Sequence, residues 1–317
     1  MRQEQCDGSA RDFSIYSDGF SLTPDEALAL EERLLQNSQD VPTRLKLLGY
    51  YLFSSESEAA SRWSSNFKWM IRNRPGDWIC GNSGPPDSIA NSDLVELVDS
   101  WSEVTTAQPD DPMVIGRAGQ FLCGLDDDRA ENLLRRAEIL EPNNSAWSRS
   151  LLQLFISMAS SSEHGRSAEL TEVFDQAEIV LRKEDHPGER YGALLEVSDC
   201  ALEAGELAKG KIYAEQLLAL TIERETSHRQ FVAHTLLGLI AIKQDDAEAA
   251  EKQLLAAGDC EFCPDMRLAH ELFLLKRTEP VLRFLKACER TAPEAERKQL
   301  RTWHSEVEQG KTPNLIR

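Results

Sequence analysis

The chain has no run of about 18 apolar residues, the length needed to cross a bilayer, so it is expected not to span a membrane. It is also short of positive charge. Lys and Arg number 35 against 54 Asp and Glu, a net charge of −19. A phosphate backbone or an anionic lipid surface is gripped by Lys and Arg that displace counterions, so nucleic acid and membranes are excluded as expected partners. Alternating β-branched runs are missing, so strands are not expected. Missing too are a phosphate-cradling Gly-rich loop, a dinucleotide fingerprint, a GxSxG elbow and an HExxH pair. No enzyme class and no cofactor is therefore expected. Met1–Ser17 carries Glu4, Asp7 and Asp12 and no apolar stretch, which reads as a chain without a secretory leader. The seven cysteines, an odd number, then read as free thiols in a reducing cytoplasm.

What is present is helical. Hydrophobic residues make up 41% and charged residues 28%, the balance of a folded chain. Ala, Leu, Glu, Gln, Arg and Lys dominate, and they lose little rotamer freedom in a helix. Residues 1–22, polar and without periodicity, read as a flexible arm. Thr23-Pro24-Asp25-Glu26 then starts the first helix: a capping hydroxyl, Pro at the first helical position and Glu three after the cap. The breaks after it are short and carry turn residues, as at Pro109–Pro112 and Pro142–Asn144. Two breaks are longer: the irregular loop 75–90, rich in Gly and Pro, and the Ser-rich stretch 160–167. Short turns between helices predict antiparallel hairpins.

The hairpins repeat. One copy runs Leu237-Gly238, Ala241, then Ala250, Leu254 and Ala257; the copy before it has Val197-Ser198, Ala201, then Gly210, Ala214 and Leu217. Others begin at Leu48-Gly49, at Ala118-Gly119 and at Trp147. Leu97, Trp101 and Val104 read as a second helix whose first helix has become the 75–90 loop. This pattern of small and bulky positions resembles the tetratricopeptide repeat. The resemblance covers roughly residues 25–260, although Ser198 and Gly238 fall 40 apart where the usual unit is about 34 residues. It implies an all-α fold: a right-handed α-solenoid of about five or six hairpins over residues 23–310, a C-terminal hairpin and capping helix over 265–310, and a tail at 311–317. The C-terminal run, with Leu254-Leu255-Ala256-Ala257-Gly258, is also similar to uncharacterised bacterial proteins of this type. That implies a bacterial cytoplasmic protein and adds no activity.

Such arrays bind through the concave face, lined by first helices. The positions flanking the packing residues predict a groove of Lys46, Tyr50, Phe53, Arg117, Gln120, Arg149 and Gln153, then Glu196, Asp199, Glu203, Leu239 and Ile242. Arg117 and Arg149 in successive repeats form a candidate clamp for a carboxylate or acidic peptide. The Lys/Asn-rich clamp by which some relatives grip chaperone tails lacks its asparagines here. Trp78 in the long loop is a candidate contact. Cys260-Glu-Phe-Cys263 has half of a zinc set, with His270 and Cys288 as the nearby completions. His234 reads as a packing residue. Residues 1–200 hold −17 of the charge, so a basic strip inside an acidic shell is expected, with a near-neutral C-terminal end. The expected partner is a protein or peptide and the expected function a non-catalytic interaction scaffold. An accessory subunit using the array as a spacer, or a metal-binding or catalytic helical protein, are the alternatives.

Overall fold

The computed structural model describes residues 11–82, 84–161, 166–220, 226–260 and 265–315, without the side chains of 161, 166–169 and 226–228. Every regular element among them is helical. Residues 11–18 form α1, followed by a 3-10 turn, Gly19–Ser21. Then come α2 (Pro24–Gln36), α3 (Val41–Phe53), α4 (Ala59–Asn73), α5 (Ile79–Asn82), α6 (Asn91–Ala107), α7 (Pro112–Leu122), α8 (Asp127–Leu140) and α9 (Ser145–Ser161). They continue with α10 (Arg166–Lys183), α11 (Pro187–Ala204), α12 (Leu207–Ala219), α13 (Thr226–Lys243), α14 (Ala247–Gly258), α15 (Arg267–Leu274), α16 (Thr278–Thr291) and α17 (Glu294–Glu308).

Local chemistry sets the boundaries. Thr23 and Glu26 close a reciprocal capping box on α2, which satisfies amides that have no partner within the helix. Asp40, Asp111, Asp126 and Asp246 accept from the first-turn amides of α3, α7, α8 and α14. Pro follows at the first helical positions of α3 and α7, where no donor is needed. Gly205, left-handed at φ 79°, ends α11.

The chain divides into two compact units, residues 1–154 and 155–317. In the first, α3 packs on α4, α4 on α6, α5 on α7 and α7 on α8. Its core is aromatic: Trp63 stacks on Phe67 at 4.5 Å, and Phe67 meets Phe121 at 5.5 Å. Helix α2 is tied across the surface, its Glu31 accepting from Tyr51 (2.6 Å) and from Arg62 (2.8 Å). In the second unit α11 touches α12 and α13, α13 touches α14 and α15, and α14 touches α16. This next-and-next-but-one contact is how helix hairpins share a core that none encloses alone. Helix α17 closes the unit with Leu300, Trp303 and Val307 inward.

Three expectations change. The arm expected at 1–22 is helical from residue 11, and Tyr16 is buried; residues 1–10 lie outside the described residues. The irregular 75–90 loop keeps one helical turn, α5, with Ile79 and Cys80 buried, since a close-packed core leaves no space there unfilled. The tail beyond 310 folds back and buries Pro313 and Leu315. Of the Ser-rich break, residues 162–165 lie outside the described residues.

Small residues permit the close approaches. A Cβ on Gly116 would come within 2.6 Å of the Trp147 ring, and one on Gly119 within 2.8 Å of Leu134. Gly192, in mid-helix on α11, faces open space. Gly116→Ala is therefore expected to lower the unfolding free energy by about 1–3 kcal/mol through overpacking. Gly192→Ala is expected to raise it by up to about 1 kcal/mol through helix propensity. Urea denaturation of the two variants checks this, and shifts of the same sign would contradict the packing.

Candidate functional site

The predicted groove residues of α3 lie under the chain's own N-terminal segment. Phe13, Tyr16 and Phe20 recur at i, i+3 and i+7, the first two on α1 and Phe20 in the 3-10 turn after it. Tyr16 meets Trp78 edge-on at 5.9 Å, Phe13 meets Trp78 at 5.7 Å, and Phe20 meets Phe53 edge-on at 5.1 Å. The Asp18 carboxylate pairs with Lys46 Nζ at 3.2 Å. The backbones touch through two glycines: a Cβ on Gly49 would overlap the Tyr16 carbonyl oxygen, and one on Gly19 the Lys46 carbonyl oxygen. Tyr50 is buried, and its hydroxyl donates to Glu56 at 2.6 Å; burial and that carboxylate both push its pKa up. Thus Lys46, Tyr50 and Phe53 do converge on one face, but residues 11–21 cover it. Trp78 is half-buried there, turned inward on Phe13 and Tyr16 and not presented as a free contact.

On α7 the expected clamp is taken up internally. Gly81 of α5 sits against Arg117 and Gln120 so closely that a Cβ there would come within 2.8 Å of Arg117 Cδ. Arg117 Nη1 donates to Gln120 Oε1 at 2.8 Å, and its guanidinium lies over the Trp147 ring at 5.7 Å. Gln120 in turn donates to Ser150 Oγ at 2.8 Å. Burial pulls the Arg117 pKa below its ordinary range, against the opposing pull of Cys80 and Asp77. Arg149 is half-buried and Gln153 exposed, and both have partners of their own. The basic strip expected from Lys46, Arg117 and Arg149 is consequently engaged: Lys46 holds Asp18, Arg117 is packed under α5, and Arg149 has a partner of its own.

In the second unit the acidic positions are partly neutralised. Asp199 accepts from Arg267 Nη1 at 2.9 Å, and Arg267 Nη2 also reaches Asp265 at 2.9 Å. These carboxylates push the Arg267 pKa up. Glu196 is half-buried with a partner, Glu203 is exposed, Leu239 is buried and Ile242 half-buried. No protein-family model matches the chain, and no curated protein matches it.

His234 is a packing histidine, with Nδ1 2.7 Å from Gln253 Oε1. Cys260 donates to the Ala256 carbonyl at 3.4 Å, and Cys263 lies outside the described residues. Among the described residues no cluster of three or more His, Cys, Asp or Glu could hold a metal, and no helix is long and apolar enough to cross a membrane. Sequence reading missed Phe13, Tyr16, Asp18 and Gly19. The signal was their i, i+3, i+7 aromatic spacing, hidden among Ser, Asp and Gly. It also missed Arg267, whose link to Asp199 spans 68 positions and leaves no local trace.

The thiols are insulated. Burial pushes Cys80 far above the ordinary range and Cys123 up to about 11, and burial with the Asp259 carboxylate raises Cys260. The thiolate is the reactive form. At pH 8 iodoacetamide should therefore modify Cys80 and Cys123 at least about tenfold more slowly in the folded chain than in urea. Peptide mapping that finds equal rates contradicts this burial.

Proposed function

We propose that the chain is a non-catalytic protein-interaction scaffold, built as a right-handed tetratricopeptide-like array and working in the cytoplasm. The first helices of its hairpins hold a helical segment of a partner protein. One observation carries the reading: the α3 face already seats a helix, residues 11–18 and the turn after it, through aromatic anchors and an ion pair. Anchors at i, i+3 and i+7 laid on an apolar face are the helix-in-groove mode of recognition. The surroundings suit such an occupant, since Phe53 offers an exposed ring and the half-buried Lys46 a cation that already pairs with the segment's Asp18.

Affinity capture from the source cell tests the reading. Lys46→Glu and Phe53→Ala are expected to lower recovery of the bound protein by about tenfold, the equivalent of about 1.4 kcal/mol. Lys298→Glu, on the exposed side of α17, should leave it unchanged. Equal recovery by all three contradicts binding at the α3 face.

A further inference from the structure

We infer that the α3 face is a self-occupied site: residues 11–21 are a built-in competitor for it. Its external ligand is then an acidic amphipathic helix with aromatic residues at i, i+3 and i+7 and a carboxylate between the last two. This rests on the scaffold reading and adds the ligand's chemistry and its regulation.

The pattern is read from the occupant. Phe13, Tyr16 and Phe20 supply the three rings and Asp18 the carboxylate. The receptor side is Trp78 for the first two rings, Phe53 for the third and Lys46 for the acid. The two glycine contacts fix how close a helix lies. Gly49 leaves room for the Tyr16 carbonyl, so the face accepts a backbone and not only side chains.

The occupant is seated loosely. Of residues 11–21, only Tyr16 and Gly19 are buried. Phe13 remains 54% exposed and Phe20 46%, and the ring under Phe20, Phe53, is 71% exposed. Exposed aromatics clustered this way mark an interaction surface, and an element with so little buried area belongs to the low-stability end of a structure. The Asp18–Lys46 pair is solvent-accessible on both sides, and such pairs contribute orientation more than energy. The Gly49 contact is helped by the tether through Leu22 and Thr23 to α2, which gives a weak interaction an effective concentration on the order of millimolar. A free helix that fills both rings and matches the charge displaces it once its own binding exceeds that local competition.

The test uses the full chain and a fluorescein-labelled peptide of residues 11–22, read by anisotropy. Tyr16→Ala/Phe20→Ala weakens the internal occupant and leaves the face intact. This variant should bind the peptide saturably, at least tenfold more tightly than the wild type does. Adding Gly49→Ala should abolish that binding. A folded double variant that does not bind the peptide overturns the inference; so does equal binding with and without Gly49→Ala. Should the double variant lose its helical melt, Asp18→Lys in the full chain gives the same reading: peptide affinity should rise above wild type, and no rise overturns it. Peptide binding together with unchanged partner capture by Lys46→Glu would remove the scaffold reading and leave the self-occupied site standing. Capture that depends on Lys46 without peptide binding would do the reverse.

Discussion

A helix hairpin cannot bury its own apolar face, so each must approach a neighbour closely, and the approach is set by places where a Cβ has no room. Those places recur along the chain. Gly49 of α3 admits the Tyr16 backbone, Gly81 of α5 admits Arg117 and Gln120, Gly116 of α7 admits the Trp147 ring, and Gly238 of α13 admits Leu268. On α11 a small residue, Ser198, is fully buried, its hydroxyl donating to the Leu194 carbonyl at 2.6 Å within its own helix. Glycine in a helix costs about 1 kcal/mol relative to Ala. Here the gain is the close packing of large neighbours, including the fully buried Trp147.

The same constraint explains why the candidate site differs from a bare groove. Residues 11–21 meet α3 through glycines on both sides, Gly19 and Gly49. The segment is thus an added helical layer at the start of the first unit, with little of the burial that holds the core helices. One turn of helix, α5, performs a related service further on by covering Arg117 and Gln120. The exposed rings of Phe13, Phe20 and Phe53 are what an incomplete neighbour leaves uncovered.

Much of the fold was legible in the chain. The Thr23–Glu26 capping box, the turn residues at Pro109–Pro112 and the small–bulky spacing around Gly119 and Gly238 fall where the helices start and pack. Leu97, Trp101 and Val104, read as one helix, lie buried together on α6. The site was less legible, because a groove position is defined by what does not cover it. Helical phase aims Lys46, Tyr50 and Phe53 to one side correctly. It gives no sign that a Ser- and Asp-rich segment returns to lie on them. The spacing of Arg117 and Arg149 likewise says nothing of the Gly81 turn, whose position depends on a 75–90 loop with no periodicity to read. The charge count carries the same lesson: a net −19 says nothing of where single cations go, and Lys46, Arg117 and Arg267 are engaged by Asp18, by Gln120 and by the pair Asp199 and Asp265.

The central claim is that a backbone-width gap at Gly49 seats the N-terminal segment on α3. Native-state hydrogen exchange on Gly49→Ala tests it most directly, since Ala favours helix α3 itself while closing the gap. The account predicts that the amides of residues 16–21 lose protection and approach free-chain rates, while those of Leu45–Leu48 remain protected. Unchanged protection of residues 16–21 would contradict it.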